Sequence, residues 1–408
     1  MSRKMTSGFE ELAKETTLYP QEQLQKIRTG NTSLLIGIPK ENSLQENRVA
    51  LTPESVALLV NNGHQIVVEA GAGATSKFSD NEYSDAGAKI AYSTKEVFEC
   101  NIVLKVEPPN EEEIDYLKPG TTLISALQIG NRKSSYIDDL NRKKVTGIAF
   151  ELIEDKVGGM PVVRAMSEIA GSTVMLIAAE NLSTATQGKG VILGGITGVP
   201  PTKVVILGAG TVAEYAARAA LGLGARIEIY DNHIYKLRRV KQLLGQQVYT
   251  SVLDTATLAQ SLKTADVLIG AIRMEKGRYR CIISEEMVMQ MPPESIIIDV
   301  SIDQGGCVET SEITTHRNPV FRKHGVIHYC VPNIPSRVAR TATTAFSNIF
   351  TPILIQAGEV GGIEDLVFTH NWFMRGVYTY KGNLTNKHVA NKFGMKHKDL
   401  ELFRAARM

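Results

Sequence analysis

The most constraining feature of the sequence is a strand, a glycine turn and a helix in direct succession. The apolar run 204–207 leads into Gly208-x-Gly210-x-x-Ala213, and a helical pattern follows. The first glycine allows a tight turn, the second lets a phosphate approach the backbone, and the alanine lets the helix pack closely on the strand. Free N–H groups at the start of that helix favour an anion. The pattern predicts a dinucleotide-binding α/β unit.

The acid that follows indicates which dinucleotide is bound. The next predicted strand, 226–230, ends at Asp231, 21 residues after Gly210. A carboxylate at this position accepts a hydrogen bond from a ribose 2′-hydroxyl and repels a 2′-phosphate. We therefore expect NAD rather than NADP. The alternative is a Rossmann-like domain that has the glycine turn but binds no cofactor.

Short apolar runs alternate with helical segments along most of the chain, and a connecting helix is predicted over 164–183. The predicted strands are 34–39, 65–71, 102–106, 122–127 and 146–150 before this helix, and 203–207, 226–230, 266–269, 295–300 and 326–330 after it. Such alternation is typical of mostly parallel sheets. The predicted fold is α/β, with two Rossmann-like domains around a central cleft.

The first domain is expected to be discontinuous. It combines residues 1–163 with 338–408 and carries the substrate, whereas residues 164–337 form the NAD-binding Rossmann domain. The polar first 33 residues are expected to form an arm outside the core. The basic tail from residue 381 is expected to be a solvated surface helix, with a contact for a partner or a phosphate group as the alternative.

Composition excludes several classes of function. The 408 residues carry 45 Lys and Arg and 43 Asp and Glu, so no basic surface for nucleic acid is expected. The four cysteines form no CxxC pair, which argues against a disulfide scaffold or a metal site and favours the cytoplasm.

The uncharged run 341–358 contains Asn, Gln and Pro and is expected to be a buried helix near a binding site, not a membrane segment. The N-terminus has no apolar region of the secretory type.

Three further segments place charged side chains beside apolar runs. Arg48 can bind a carboxylate in bidentate geometry. Lys105 stands in an apolar strand pattern, which is costly unless it is paired or functional. Asp303 follows the carboxyl end of a strand, where open α/β sheets bind ligands. The alternatives are a surface salt bridge for Arg48, an edge-strand lysine facing water for Lys105, and a turn cap for Asp303.

These segments together resemble the family of alanine dehydrogenases and transhydrogenase alpha subunits, and are most similar to the former. The matching motifs, spread over about residues 34–358, are IGIPKE…ENRVALTP, VEAGAG, VLKVEPP, AMSEIAG, GVPPTKVVILGAG and IIIDVSIDQGGCVET. The resemblance implies reversible NAD-dependent oxidative deamination of L-alanine to pyruvate and ammonium. It also implies a homo-oligomer, often a hexamer.

The resemblance assigns roles to particular residues. Arg48 and Lys105 are expected to bind the substrate, and Lys105 and Asp303 to take part in catalysis. The expected cofactor-binding residues are those of the glycine turn, Gly208, Gly210 and Ala213, together with Ser167, Asp231, Lys236, Ala271, Ile272, Val300, Asp303, Asn333 and Ile334.

Gln128 departs from the family pattern, which has a histidine for proton transfer at this position. A glutamine can hydrogen-bond a substrate carbonyl but cannot exchange a proton near neutral pH. We expect Gln128 to bind substrate, and Lys105, with a pKa lowered by burial, or Asp303 to move protons. Two alternatives remain: a dehydrogenase for a different small amino or oxo acid, and a non-catalytic, transhydrogenase-like NAD(H)-binding subunit.

Overall fold

A computed structural model of the chain describes residues 32–407 except 44, 127, 129–131, 156 and 273–280. All but the last two residues of the expected N-terminal arm, 1–33, lie outside the described residues.

The first sheet contains eight strands within the described residues. In spatial order they are β15 (Asn383–Leu384), β14 (Val377–Tyr380), β6 (Thr146–Ala149), β5 (Thr122–Ser125), β4 (Ile102–Leu104), β1 (Leu35–Ile38), β2 (Gln65–Glu69) and β3 (Lys89–Ala91). The strands from β6 to β3 are parallel to one another. Strands β14 and β15 extend the sheet beyond β6 in antiparallel pairing, so a late segment of the chain completes the sheet that the early segment begins.

The second sheet contains seven strands in the described part of the chain. In spatial order they are β12 (Val320–Lys323), β13 (Val326–Tyr329), β11 (Ile296–Asp299), β10 (Val267–Gly270), β7 (Lys203–Leu207), β8 (Arg226–Tyr230) and β9 (Tyr249–Ser251). Only β12 among these is antiparallel to its neighbour. The six parallel strands of each sheet run in the doubly wound order 3-2-1-4-5-6. The predicted fold class, α/β with two Rossmann-like units and mostly parallel sheets, is confirmed.

Helices connect the strands. Those of the first half are α1 (Pro53–Asn61), α2 (Asp80–Asp85), α3 (Thr94–Phe98), α4 (Glu111–Tyr116), α5 (Ser134–Arg142) and α6 (Pro161–Leu182). Those of the second half are α7 (Thr211–Gly222), α8 (Ile234–Leu244), α9 (Thr255–Leu262), α10 (Glu285–Met289), α11 (Ala339–Val360), α12 (Ile363–Thr369), α13 (Asn371–Met374), α14 (Lys387–Phe393) and α15 (Leu400–Ala405). Helix α1 begins as its sequence predicts, with Thr52 capping the N–H of Ser55 and Pro53 in the first turn.

Helices α6 and α11 join the two sheets. Val162 at the start of α6 belongs to the apolar core beside the first sheet, and Val174 further along belongs to the core of the second. By length and composition α6 could cross a membrane, with a mean hydropathy of 1.4. Its packing on α7 and α11 assigns it to the protein core instead. Helix α11 is buried along one face, and the expectation of a buried helix over 341–358 holds for that face, where Phe346 and Phe350 pack on Phe150.

The sequence analysis missed five strands, which are β3, β9, β12, β14 and β15. They are two to four residues long, and four of them are partly exposed, so their apolar pattern is weak.

The prediction of a solvated tail from residue 381 was wrong. Leu384, Val389, Ala390 and Leu400 are buried against the first half of the chain, because the tail supplies β15 and covers that side of the sheet.

Phe350→Ala is expected to destabilise the first half of the molecule. Its ring is 2% exposed and lies 5.6 Å from the ring of Phe150, so truncation leaves a cavity worth about 3–5 kcal/mol. Urea denaturation followed by circular dichroism measures this loss. Asn348→Ala, on the exposed side of the same helix, is the matched control and should stay within about 0.5 kcal/mol of wild type. Equal stabilities of the two variants would contradict this account of the core.

Candidate active site

The carboxyl ends of the parallel strands of both sheets meet at one cavity of about 580 Å³. In parallel sheets the segments that follow the strands gather at one edge, which is where such folds bind ligands. Residues that follow β4, β5 and β6 line the cavity from the first sheet, and residues that follow β7, β8, β10 and β11 line it from the second. The predicted central cleft is therefore present.

Most of the predicted site residues line this cavity. They are Arg48, Gln128, Ser167, Gly210, Asp231, Lys236, Ala271, Ile272, Val300, Asp303, Asn333 and Ile334. Gly208 and Ala213 lie behind the residues that line the cavity. Gly208 shapes the glycine turn, and Ala213 lies in the first turn of helix α7. Lys105, which was predicted to bind substrate, does not line the cavity either.

The glycine turn can hold a phosphate. Gly208 has a φ of 103°, and a Cβ there would lie 2.5 Å from the carbonyl oxygen of Ala271. A Cβ on Gly210 would meet nothing within 4 Å, so the backbone is open to the cavity at this position. No side chain caps the start of α7, which leaves its first N–H groups available for an anion. These features fit the pyrophosphate of a dinucleotide.

Asp231 is buried beside this turn. One carboxylate oxygen accepts a hydrogen bond from the N–H of Ala209 at 2.9 Å. The other accepts from the N–H of His233 at 2.7 Å and lies 2.9 Å from its Nδ1. Asp231 thus ties the turn to the end of β8, and with His233 and Lys236 it forms the polar end of the cavity.

Arg48 lines the same cavity and forms a buried ion pair with Glu46. The Nε and Nη2 atoms of Arg48 donate to the two oxygens of Glu46 at 2.6 and 2.5 Å. The side-chain amide of Asn333, a residue that follows the second sheet, donates to Glu46 at 2.8 Å. Burial alone raises the pKa of Glu46, but the charge of Arg48 and these hydrogen bonds hold the pKa below its usual value. Arg48 is therefore fixed at the cavity wall, with Nη1 3.3 Å from the sulfur of Met166.

Lys105 is buried behind the residues that line the cavity. Its ammonium lies 2.6 Å from Glu41 and 3.4 Å from Glu113, and its side chain is 1% exposed. Burial lowers the pKa of Lys105, but the two carboxylates more than offset this and hold it above the usual value. The expectation of a lysine with a lowered pKa was wrong, because the sequence pattern did not show its two acidic partners. Glu41 also accepts from the N–H of Val106 at 2.7 Å, and burial raises the pKa of Glu41 to about 7.

Gln128 lies between two carboxylates. Its side-chain amide donates to Glu107 at 3.1 Å, and its backbone N–H donates to Glu151 at 3.1 Å. Its φ of 47° is in the left-handed region. Burial and the charge of Glu46 raise the pKa of Glu107.

The sequence analysis missed several cavity residues, including Glu107, Glu151 and His233. Glu107 stands inside the motif VLKVEPP, where the lysine drew attention first. Glu151 immediately follows a predicted strand end, a position that could have identified it. Within the described residues, no group of three or more His, Cys, Asp or Glu side chains could hold a metal ion.

Comparison with known families gives two matches that together span most of the chain. Residues 37–170 match the family described as alanine dehydrogenase/PNT, N-terminal domain. Residues 174–387 match the family described as alanine dehydrogenase/PNT, C-terminal domain.

Characterised relatives and a solved structure are similar over nearly their full length. The chain is 39% identical to an alanine dehydrogenase of Bacillus subtilis over 366 residues, covering 89% of this chain and 96% of that protein. It is 39% identical to an alanine dehydrogenase of Methanococcus maripaludis, covering 90% and 99%. A solved L-alanine dehydrogenase superimposes with a TM-score of 0.82 at 35% identity, covering 88% of this chain and 99% of that chain.

Glu41 is expected to make stability fall as the pH rises. Its pKa is 4.5 in a model peptide and about 7 in the folded protein, so between these values the folded protein keeps a proton that the unfolded chain releases. The contribution is complete below about pH 4.5 and is lost as the pH rises through about 7, with an upper bound of about 3 kcal/mol.

Urea denaturation of wild type and Glu41→Gln at pH 5, 6, 7 and 8 measures this effect. The glutamine does not titrate, so the stability of the variant relative to wild type should rise across this range. Glu111→Gln, an exposed residue at the start of α4, is the matched control and should follow the wild-type curve. Parallel curves for Glu41→Gln and wild type would show that Glu41 does not titrate in this interval.

Proposed function

The chain belongs to the alanine dehydrogenase/PNT family, and we propose that it is an alanine dehydrogenase. In the forward direction L-alanine, NAD and water give pyruvate, ammonium, NADH and a proton, and the reaction is reversible. The observation that carries the proposal is one cavity that Arg48 and the glycine turn both line. A substrate carboxylate and a dinucleotide need these two features in one site.

The cofactor is NAD. Gly208, Gly210 and the start of α7 bind the pyrophosphate, while Asp231 and Lys236 hold the adenosine ribose. The remaining predicted cofactor residues extend along the cavity wall from there: Ser167, Ala271, Ile272, Val300, Asp303, Asn333 and Ile334. When bound, NAD accepts the hydride from the substrate carbon.

The substrate lies in the same cavity. Arg48 holds the carboxylate of alanine or pyruvate, and its pair with Glu46 keeps the guanidinium oriented. Gln128 hydrogen-bonds the substrate oxo or amino group, and Asp303 stands at the junction of substrate and nicotinamide. Lys105 acts through Glu41 and Glu113, which it fixes behind the wall, rather than through the substrate contact that was expected.

Other properties follow from family membership and composition. We propose that residues 1–163 and 338–408 form the substrate domain and residues 164–337 the NAD-binding domain. The proposed assembly is a homo-oligomer, with the hexamer as the form to test by light scattering. Free thiols at all four cysteines support a reducing, cytoplasmic location, and the near-neutral net charge supports partners other than nucleic acid.

Purified protein is expected to oxidise NADH in the presence of pyruvate and ammonium, measured by absorbance at 340 nm. Arg48→Lys keeps the charge but loses the bidentate geometry, so the KM for pyruvate should rise about tenfold or more while NADH binding is retained. Arg164→Lys, an exposed residue of α6, is the matched control and should match wild type.

The alternative functions give different results in the same assay. A higher kcat/KM with a 2-oxo acid other than pyruvate would assign the enzyme to another substrate. NADH binding without turnover of any 2-oxo acid would indicate a binding subunit.

Gly208→Ala is expected to weaken NADH binding about tenfold or more. A Cβ at a φ of 103°, 2.5 Å from a carbonyl oxygen, forces the turn to move away from the phosphate position. A fluorescence titration with NADH measures the Kd. Gly222→Ala at the far end of α7 is the matched control, since its Cβ meets nothing within 4 Å and binding should not change. Unchanged binding in Gly208→Ala would place the cofactor elsewhere.

A further inference from the structure

The loop that carries Arg48 lies between β1 and α1 and belongs to neither element. The ion pair with Glu46 joins residues two apart in sequence, so it orients the guanidinium within the loop. Asn333 holds the side chain of Glu46, but the backbone of the loop needs hydrogen-bond partners of its own. Those partners decide where Arg48 stands in the cavity, and their role in the reaction rests on the proposed function, in which Arg48 binds the substrate carboxylate.

Buried hydroxyl groups on one face of α11 supply partners for this backbone. The N–H of Val49 donates to Oγ1 of Thr343 at 3.1 Å, and the N–H of Thr52 donates to Oγ of Ser347 at 2.7 Å. Thr343 and Ser347 are four residues apart in α11 and therefore lie on the same side of the helix. Both are at most 1% exposed. The loop is thus held to α11 by side-chain hydroxyls instead of a backbone ladder.

A second hydroxyl extends the contact at Thr343 to the other side of Arg48. The Oγ of Ser76 lies 3.0 Å from Oγ1 of Thr343 and donates to the carbonyl of Asn47 at 2.8 Å. A hydroxyl has one proton, so Thr343 is the donor where the two hydroxyls meet. One chain of hydrogen bonds therefore runs from the N–H of Val49 through Thr343 and Ser76 to the carbonyl of Asn47.

The two ends of this chain hold the two peptide groups that flank Arg48. The carbonyl of Asn47 belongs to the peptide group before the Cα of Arg48, and the N–H of Val49 belongs to the one after it. Each peptide group is planar, so φ and ψ of Arg48 alone set their relative orientation. Thr343 and Ser76 are both fully buried. Together they fix the backbone conformation from which the guanidinium reaches the cavity.

Thr343 is the central member of the chain. The carbonyl of Asn47 has a second donor, Oγ1 of the exposed residue Thr75, at 2.8 Å, so it does not depend on Ser76 alone. A threonine inside a helix commonly returns its hydroxyl to its own helix. The neighbouring Thr344 does so, donating to the carbonyl of Arg340 at 3.0 Å. The hydroxyl of Thr343 is directed to the loop instead.

We propose that Thr343, acting with Ser76, is a positioning residue that sets the direction in which Arg48 receives the substrate carboxylate. The Nε and Nη2 atoms of Arg48 already bond Glu46, which leaves the Nη1–Nη2 edge for the substrate. A bidentate contact on that edge tolerates little rotation of the guanidinium. Neither hydroxyl lines the cavity, so both act through Arg48 and touch neither substrate nor cofactor.

Steady-state kinetics of Thr343→Val test the proposal. Valine keeps the shape of threonine but can neither accept nor donate, so the KM for pyruvate should rise about tenfold while kcat and the Kd for NADH stay at the wild-type values. Thr343→Ser retains the hydroxyl and should restore a KM close to that of wild type. Thr344→Val, an exposed position on the same turn of α11, is the matched control and should match wild type in all three constants.

A double variant distinguishes positioning of Arg48 from a general loss of structure. In Arg48→Lys the bidentate contact is already absent, so adding Thr343→Val should change the KM for pyruvate by less than about twofold. An equal increase of KM in both backgrounds would overturn the proposal, because the effect would then not pass through Arg48. Loss of NADH binding in Thr343→Val would overturn it as well.

The outcomes separate this proposal from the proposed function. A wild type that binds NADH but turns over neither alanine nor pyruvate contradicts the function itself, and the role of Thr343 with it. An active wild type in which Arg48→Lys raises the KM and Thr343→Val does not overturns the role of Thr343 alone. Should Thr343→Val not fold, the double variant Thr75→Val with Ser76→Ala decides, because it removes both hydroxyl donors to the carbonyl of Asn47. A raised KM with an unchanged Kd for NADH then supports the proposal, and an unchanged KM overturns it.

Discussion

The Glu46–Arg48 ion pair is the interaction on which the site depends. Both charges are removed from water, and Asn333 from the second half of the chain donates to the same carboxylate. The N–H of Asn47 donates to Ser336 nearby, at 2.8 Å. Removing one partner of such a pair costs about 3–5 kcal/mol, because it leaves a buried charge without compensation. The same groups that orient Arg48 therefore also link the two halves of the chain at the cavity.

The environment of that pair is acidic. Lys105 is shared by Glu41 and Glu113, so two carboxylates offset its positive charge. Burying uncompensated carboxylates is costly, and proteins meet that cost by keeping some of them protonated. Burial accordingly raises the pKa of Glu41 to about 7 and raises the pKa of Glu107 above its usual value.

Local sequence patterns predicted the fold well. The site was harder to predict, because some of its side chains contact residues that are distant in the sequence. The glycine turn and ten central strands are encoded in short apolar runs, and each was found where expected. Edge strands such as β3 and β12 are half exposed and lack that pattern. Twelve of the predicted site residues line the cavity. Some of them, such as Gln128, Asp231 and Val300, follow strand ends, whereas Ser167 and Lys236 lie within helices. The state of Lys105 depends on Glu41, 64 residues away, and no local pattern shows this contact. The domain boundaries at 163 and 337 remain predictions.

The late return of the chain to the first sheet has a consequence for synthesis. Strand β6 is made early, but its outer neighbours β14 and β15 come from residues 377–384. An unpaired parallel edge is a template for unwanted pairing with other chains. The second Rossmann unit has all its strands between 203 and 329 and can close on the ribosome while that edge is still open. The nascent protein thus carries a complete second sheet and an incomplete first sheet until its C-terminal strands emerge.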